Sequence, residues 1–230
     1  MNVAMIPARG GSKRIPRKNI KEFLGKPIMA YSIEAAHAAG CFDKIIVSTD
    51  DEEIAEVARR WGAETPFMRP NNISDDHATT VDVIKHTLTW FADSGQPIDN
   101  ICCIYATAPF VESSDLNQGL KVIKESSFDY AFSVTSFPFP IQRAVKLNDN
   151  GSVDMFYPEH LNTRSQELVE AYHDAGQFYW GKSSAFLADK PIFSPAAHGI
   201  QIPRKRVQDI DTPEDWESAE LAYRLLAKHQ

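Results

Sequence analysis

One alternation constrains this chain more than any other feature. Short apolar runs rich in β-branched residues, at 2–6 ("NVAMI"), 44–48 ("KIIVS"), 99–105 ("DNICCIY") and 129–135 ("DYAFSVT"), are separated by segments at 27–39, 51–61, 79–93 and 114–125 with helical spacing of apolar residues. Strands joined through helices lie parallel and are covered on both faces, so the pattern predicts an α/β fold with a Rossmann-like, mostly parallel sheet flanked by helices. Local signals mark the boundaries. Pro27 should open the first helix and Gly40 close it, Thr49 with Glu52 reads as a capping box, and Gly62 ends the helix "DEEIAEVARRW". Thr212, Pro213 and Asp215 start a C-terminal helix.

With 230 residues and 43% hydrophobic content, the chain can bury one sizeable core, so residues 1–230 are read as one domain. From about 137 the pattern changes. "FPFPIQ", a hairpin around "LNDNGSV" and an aromatic strand "QFYWG" at 177–181 read as an excursion from the main sheet.

Charge is distributed unevenly. The chain carries −7, yet residues 1–26 carry +6, leaving −13 for the remainder. Focused positive charge suits a small polyanion such as a nucleotide, whereas nucleic acid needs a broader basic face, and no nucleic-acid partner is expected. Three cysteines make an odd count, and the neighbours Cys102 and Cys103 would point to opposite faces of a strand, as buried thiols in a reducing cytoplasm do. No run approaches the ~20 apolar residues that would span a membrane, and the first apolar run does not resemble a signal peptide. A cytoplasmic location without a membrane partner is the expectation.

The positive charge sits in "PARGGSKRIPRKN", residues 7–19, directly after the first strand. Ligands of open α/β sheets collect at the carboxyl ends of strands, and a connection of about 20 residues without secondary structure of its own is commonly a binding loop. Gly10 and Gly11 let backbone amides approach phosphate oxygens, while Arg9, Lys13, Arg14, Arg17 and Lys18 can neutralise a triphosphate. The alternative is a solvated basic loop. Two other phosphate motifs fail. Gly10-Gly11 lacks the spacing of a dinucleotide fingerprint. "GQFYWGKS" at 176–183 matches G-x-x-x-x-G-K-[ST], but Phe178, Tyr179 and Trp180 read as a strand.

In "VQDIDTPEDW", Asp209 and Asp211 would share one face of an extended segment with Cα atoms roughly 7 Å apart, close enough to hold one Mg²⁺; alternatively Asp211 favours the following helix N-terminus. Arg143 and Arg164 in the excursion, with Asp174, Gln177 and Tyr179 of "HDAGQFYW", suit recognition of a polar acid, or are scattered surface groups. His173 reads as structural, and no nucleophilic triad is discernible.

Together these segments resemble the nonulosonic acid cytidylyltransferases, the family of the CMP-sialic acid synthetases, over nearly the whole chain. "IPARGGSKRIPRKNI" is similar to the family's nucleotide loop, "FDKIIVSTDDEEIAEVA" to its second strand and helix, and "RPNNISDDHATT" to its base-side segment. "YATAPF" is similar to its sugar-side strand end and "QDIDTPEDW" to its metal strand. Within the family, "SKRIPRKN", "CCIYATAPF", "SVTSFPFPIQRA", "MFYPEHLNTRSQ" and "EAYHDAGQFYWGK" resemble the branch acting on pseudaminic acid. The sialic acid branch typically shows Gly at Arg14, Gln at Tyr105 and Lys at Gln142.

The resemblance implies a nucleotide-diphospho-sugar transferase type of fold. It also implies a reaction in which the anomeric hydroxyl of a nine-carbon 2-keto sugar acid attacks the α-phosphorus of CTP, giving a CMP-sugar and pyrophosphate without a covalent enzyme intermediate. The product would serve surface glycan or flagellin glycosylation. Carried over by position, Arg9, Ser12 and Lys13 would hold phosphates, with Ala8 and Gly11 also at the nucleotide; Lys13 and Lys18 would carry transition-state charge, Lys18 near the transferring group, and Asn19, Arg69 and Thr79 would lie on the nucleoside side. Tyr105, Gln142, Arg143, Arg164, Asp174, Gln177 and Tyr179 would take the sugar acid. Asp209 and Asp211 would ligate Mg²⁺, with Asp209 alternatively accepting the nucleophile's proton. A homodimer in which residues 137–170 reach the neighbouring subunit is implied as well. Sialic, legionaminic or Kdo acid as the substrate, or a noncatalytic nucleotide-binding module, are the alternatives.

Overall fold

In the computed structural model, which describes residues 1–75 and 77–227, the predicted alternation takes shape. In chain order the elements are β1 (Asn2–Pro7), β2 (Glu22–Phe23), β3 (Lys26–Pro27), α1 (Ile28–Ala39), β4 (Lys44–Ser48), α2 (Glu52–Arg60), α3 (Thr80–Asp93) and β5 (Asn100–Ile104). There follow α4 (Ser113–Glu125), β6 (Tyr130–Ser136), β7 (Val145–Leu147), β8 (Val153–Met155), β9 (Tyr172–Lys182), α5 (Ser183–Leu187), β10 (Ala197–Gln201) and α6 (Pro213–Ala227).

Six strands form the central sheet in the order β10-β6-β9-β5-β1-β4. β1 pairs in parallel with β4 and β5, and β10 with β6, whereas β9 runs antiparallel between β5 and β6. The aromatic strand is therefore not an excursion. Every second residue of a central strand faces one layer, and the rings of β9 use both: Phe178 and Trp180 join the layer under α1, α2 and α4, while Tyr179 joins the layer under α3 and α5. Such a strand buries large rings on two sides, which a phosphate loop cannot do. Cys102 and Cys103 divide between the same two layers, and both are free thiols whose burial raises their pKa.

Capping follows the sequence with one exception. Gly40 ends α1 in the left-handed conformation at φ 62°, and Thr212 and Asp215 exchange hydrogen bonds at the start of α6. The cap of α2 is Asp51, whose carboxylate accepts from Ile54 N at 3.0 Å; Thr49 is buried just past the end of β4, and its hydroxyl accepts from Asp51 N. The reciprocal box belongs instead to α3, between Thr79 and Asp82.

Because β1 lies between β4 and β5, the chain leaves β1 first toward one side and later returns on the other, and a crevice opens where the direction reverses. A third apolar cluster closes one flank of that crevice. Ile15 from the cationic loop, Phe23, Ile28, Tyr31, Phe110, Ile210, Trp216 and Ala219 pack together. Burying Ile15 and Ile210 contributes roughly 1.5–3 kcal/mol each and draws two segments nearly 200 residues apart onto one wall.

Residues 137–170 lie outside the sheet. They hold the β7–β8 hairpin and short helical turns, and Phe139, Leu147, Val153, Phe156, Leu161 and Val169 are exposed there. No helix among the described residues is long and apolar enough to cross a membrane.

Candidate active site

A cleft of about 550 Å³ lies at the carboxyl ends of β1 and β5. Pro7, Arg9, Ser12, Lys13, Arg14, Ile15, Lys18 and Asn19 line one side. Arg69, Ala78, Thr79, Thr80 and Val83 line a second, and Tyr105, Ala106, Thr107 and Asp211 complete it. The sequence expectation that the cationic loop and the distant aspartyl segment meet thus holds for Asp211. Lys18 Nζ donates to the Ile210 carbonyl at 2.7 Å and to Asp211 Oδ1 at 3.2 Å, and Arg14 pairs with Asp211 at 2.8 Å.

The loop is held at successive points along its length. Ala8 N donates to Ser48 O at 3.0 Å, Gly10 N to Asp50 Oδ1 at 2.9 Å, and Ser12 N to Gly10 O at 3.0 Å. Arg9 Nη1 donates to Asp75 O at 2.8 Å, and Asn19 Nδ2 returns to Arg9 O at 2.9 Å. These bonds leave an open cradle edged by Lys13 and Lys18. Ala8 itself is buried and Gly11 is exposed, and neither side faces the cleft; a contact from them to a ligand would come from backbone.

Arg17 departs from its expected role as a phosphate cation. Its guanidinium forks onto the Asp51 carboxylate, at 2.9 Å for one arm, and also reaches Glu53. That pairing raises the arginine pKa and holds the Asp51 carboxyl below its ordinary range.

On the opposite wall, Arg69 is buried and donates to Ser48 O and to Ser48 Oγ, the latter at 3.2 Å. Burial lowers its pKa, yet guanidinium remains charged, so a fixed cation faces the cleft. The same charge, added to burial, pushes His86 behind it below the ordinary histidine value. Thr79 lines the cleft, but its hydroxyl donates to Asp82 within the cap. Its neighbour Thr80 supplies the available hydroxyl, 3.2 Å from the Tyr105 phenol, a residue not singled out in the sequence although "HATT" directly precedes a helix.

The expected sugar-acid residues divide into two groups. Tyr105 lines the cleft, and its ring lies 5.7 Å from that of Tyr179, whose hydroxyl donates to Asp174. Burial raises the pKa of both phenols, so they stay protonated as donors. Gln177 is buried below this network; its Nε2 donates to Arg206 O at 2.5 Å. Gln142, Arg143 and Arg164 do not line the cleft. Gln142 Nε2 donates to Val169 O at 3.1 Å and Arg143 to Leu161 O and Thr163 O, folding the excursion onto itself, and Arg164 is exposed. Asp209 is exposed and outside the lining, while Asp211 alone brings a carboxylate to it among the described residues.

Among the described residues no group of three or more His, Cys, Asp or Glu is placed so that it could hold a metal ion by itself. Magnesium does not need one. It keeps waters, takes one or two carboxylates and fills its shell with substrate phosphates, so Asp211 beside a phosphate cradle suits it.

Comparison with known proteins then decides the family. The cytidylyltransferase family model matches residues 3–220. The chain belongs to the cytidylyltransferase family. It is 47% identical to the pseudaminic acid cytidylyltransferase of Campylobacter jejuni (strain 81-176), with 97% of each chain covered. It is 29% identical to the N-acylneuraminate cytidylyltransferase of Escherichia coli O18:K1:H7, covering 94% of this chain and 51% of that protein. Among solved structures, a CMP:2-keto-3-deoxy-manno-octonic acid synthetase complexed with CTP superposes with a TM-score of 0.71 at 17% identity, covering 100% of this chain and 99% of the other. That likeness is one of fold, an α/β architecture with a mostly parallel sheet flanked by helices.

Proposed function

We propose that the protein transfers the cytidylyl group of CTP to the anomeric hydroxyl of pseudaminic acid, releasing pyrophosphate, in a cytoplasmic, Mg²⁺-dependent reaction. The observation that carries this reading is the meeting of the cationic loop with Asp211 in a cleft at the strand ends, within a chain 47% identical over almost its whole length to a relative of that activity.

Displacement at phosphorus asks the protein for positioning and charge stabilisation, with no covalent partner. Arg9, Ser12 and Lys13 bind the β- and γ-phosphates, with the backbone of Ala8 and Gly11 close by. Lys18 stabilises charge that develops on the α-phosphate. Asn19, Arg69 and Thr79 line the nucleoside end. Asp211, with Asp209 two residues before it, would hold Mg²⁺. When bound, that ion would supply Lewis-acid neutralisation of phosphate charge. Asp209 stands as either its second ligand or the acceptor of the attacking hydroxyl's proton.

Tyr105, Tyr179, Asp174 and Gln177 form the sugar-acid end in the same subunit. Gln142, Arg143 and Arg164 belong to a segment whose exposed Phe139, Leu147 and Val169 suit burial against a second copy, so in a homodimer they serve the partner's cleft. The test is a matrix of the four nucleoside triphosphates against pseudaminic, sialic, legionaminic and Kdo acids, read by pyrophosphate release and product mass. CTP with pseudaminic acid should dominate. A larger kcat/KM with sialic acid would move the substrate, and release with no sugar acid present would refute the transfer.

A further inference from the structure

The loop's far end carries an arginine in an expensive place. Arg17 adopts φ 56°, ψ 30°, the left-handed region that side-chain-bearing residues avoid, at the point where the chain turns into the short helix Lys18–Ile20. Glycine would suit that backbone better, so the side chain has to be doing something the backbone does not require. What it does is close the loop. Its guanidinium forks onto Asp51 and touches Glu53, at the junction of β4 and α2. Between the two ends of this staple lies Gly10. A Cβ there would stand 2.8 Å from Asp51 Oδ2, so only glycine leaves the carboxylate where Arg17 meets it, while Gly10 N donates to Asp50. The residue after Arg17 is Lys18, aimed at Asp211. Acidic residues at the end of β4 therefore fix both ends of the cationic loop without entering the cleft.

We propose that Arg17 and Asp51 are positioning residues that hold the glycine-bordered loop in the geometry that receives a triphosphate, so that CTP does not have to order it. This rests on the reading of the loop as the triphosphate site. A bidentate arginine–carboxylate pair is rigid enough for the task, and ordering a loop before binding removes a cost otherwise taken from affinity.

Arg17→Gly separates this role from a structural one, because it removes the fork while relieving the backbone. The melting temperature should move by less than about 4 °C, since relief of the left-handed strain and the added freedom of the unfolded chain oppose each other. The KM for CTP should rise roughly 10-fold or more, with the KM for the sugar acid unchanged. Asp51→Asn, which keeps the helix cap, should show the same split to a smaller degree. Gly10→Ala should raise the CTP KM too, and adding it to Arg17→Gly should bring little further loss. Lys13→Ala serves as the control for the underlying reading. A wild-type CTP KM in Arg17→Gly with an impaired Lys13→Ala overturns the staple and leaves the triphosphate site standing. Wild-type behaviour in both overturns the site itself. An equal rise in both KM values with a large fall in melting temperature would make Arg17 merely structural.

Discussion

The cationic loop and the 137–170 segment are both long, irregular and rich in charge, and they are built in opposite ways. Among the described residues the loop is tied to Ser48 and Asp50 at and just past the end of β4, to Asp51 that caps α2, to Asp75, and to the Ile210–Asp211 segment. It buries its large aliphatic side chain, Ile15. The other segment makes many of its hydrogen bonds within itself, through Arg143 to Leu161 and Thr163, Gln142 to Val169, and Asn148 to Asp154, and exposes Phe139, Leu147, Val153, Phe156, Leu161 and Val169. One buries its apolar side chain in the body of the fold; the other keeps large apolar side chains at the surface. The difference teaches that charge density does not identify a site. Anchorage does.

The comparison can be broken most severely at the loop. Lys18→Ala and Asp211→Ala should each lower turnover by ~10²–10³-fold, since each removes a charge from the transferring group's surroundings. Pyrophosphate release at saturating substrates measures this, and near-normal turnover in either would detach the loop from the chemistry. Next in size is the apolar anchor. Ile15→Ala should destabilise the protein by about 2–4 kcal/mol in denaturant unfolding and raise the CTP KM. A stability loss without any change in CTP KM would show that the anchor does not set loop geometry.

On the other side, Arg164→Ala should raise the sugar-acid KM about 10-fold with little change for CTP, and, under the proposed homodimer, dilution to the monomer should abolish the difference. A shift in CTP KM instead would join the two regions that the comparison separates. The smallest effect concerns pH. Asp51 and Asp82 have folded pKa values below the unfolded one, so the stability they contribute is present above about pH 4 and lost as pH falls through the lower folded values. Asp51→Asn should make the fall in denaturation midpoint between about pH 5 and pH 3 shallower; an unaltered slope would remove the Arg17 pairing from the stability balance.

The parallel strands and their helices were legible because doubly buried strands and amphipathic helices write their periods into the sequence. β9 was recognised as a strand but not as a sheet member, because its aromatic run follows a segment of turns and no local signal says that a strand returns to the centre. β10, "AHGIQ", carries Gly199 and a single buried aliphatic, too little pattern to read. The cationic, glycine-bordered character of the loop was visible in its residue types. The partition of its cations was not: Arg17 and Lys18 are adjacent in sequence, yet one turns to Asp51 and the other to Asp211, a choice made by the left-handed turn between them. Ile15 stood alone as an aliphatic residue among cations, and that contrast was the available sign of an anchor.

The central claim is that loop and Asp211 enclose one triphosphate, and a crystal structure of the protein with CTP tests it most directly. The account predicts phosphate oxygens within hydrogen-bond distance of Ser12 and Lys13, the α-phosphate beside Lys18 and Asp211, and Arg17 still forked onto Asp51. A nucleotide bound elsewhere, or a triphosphate lying away from Asp211 while the loop stays empty, would contradict it.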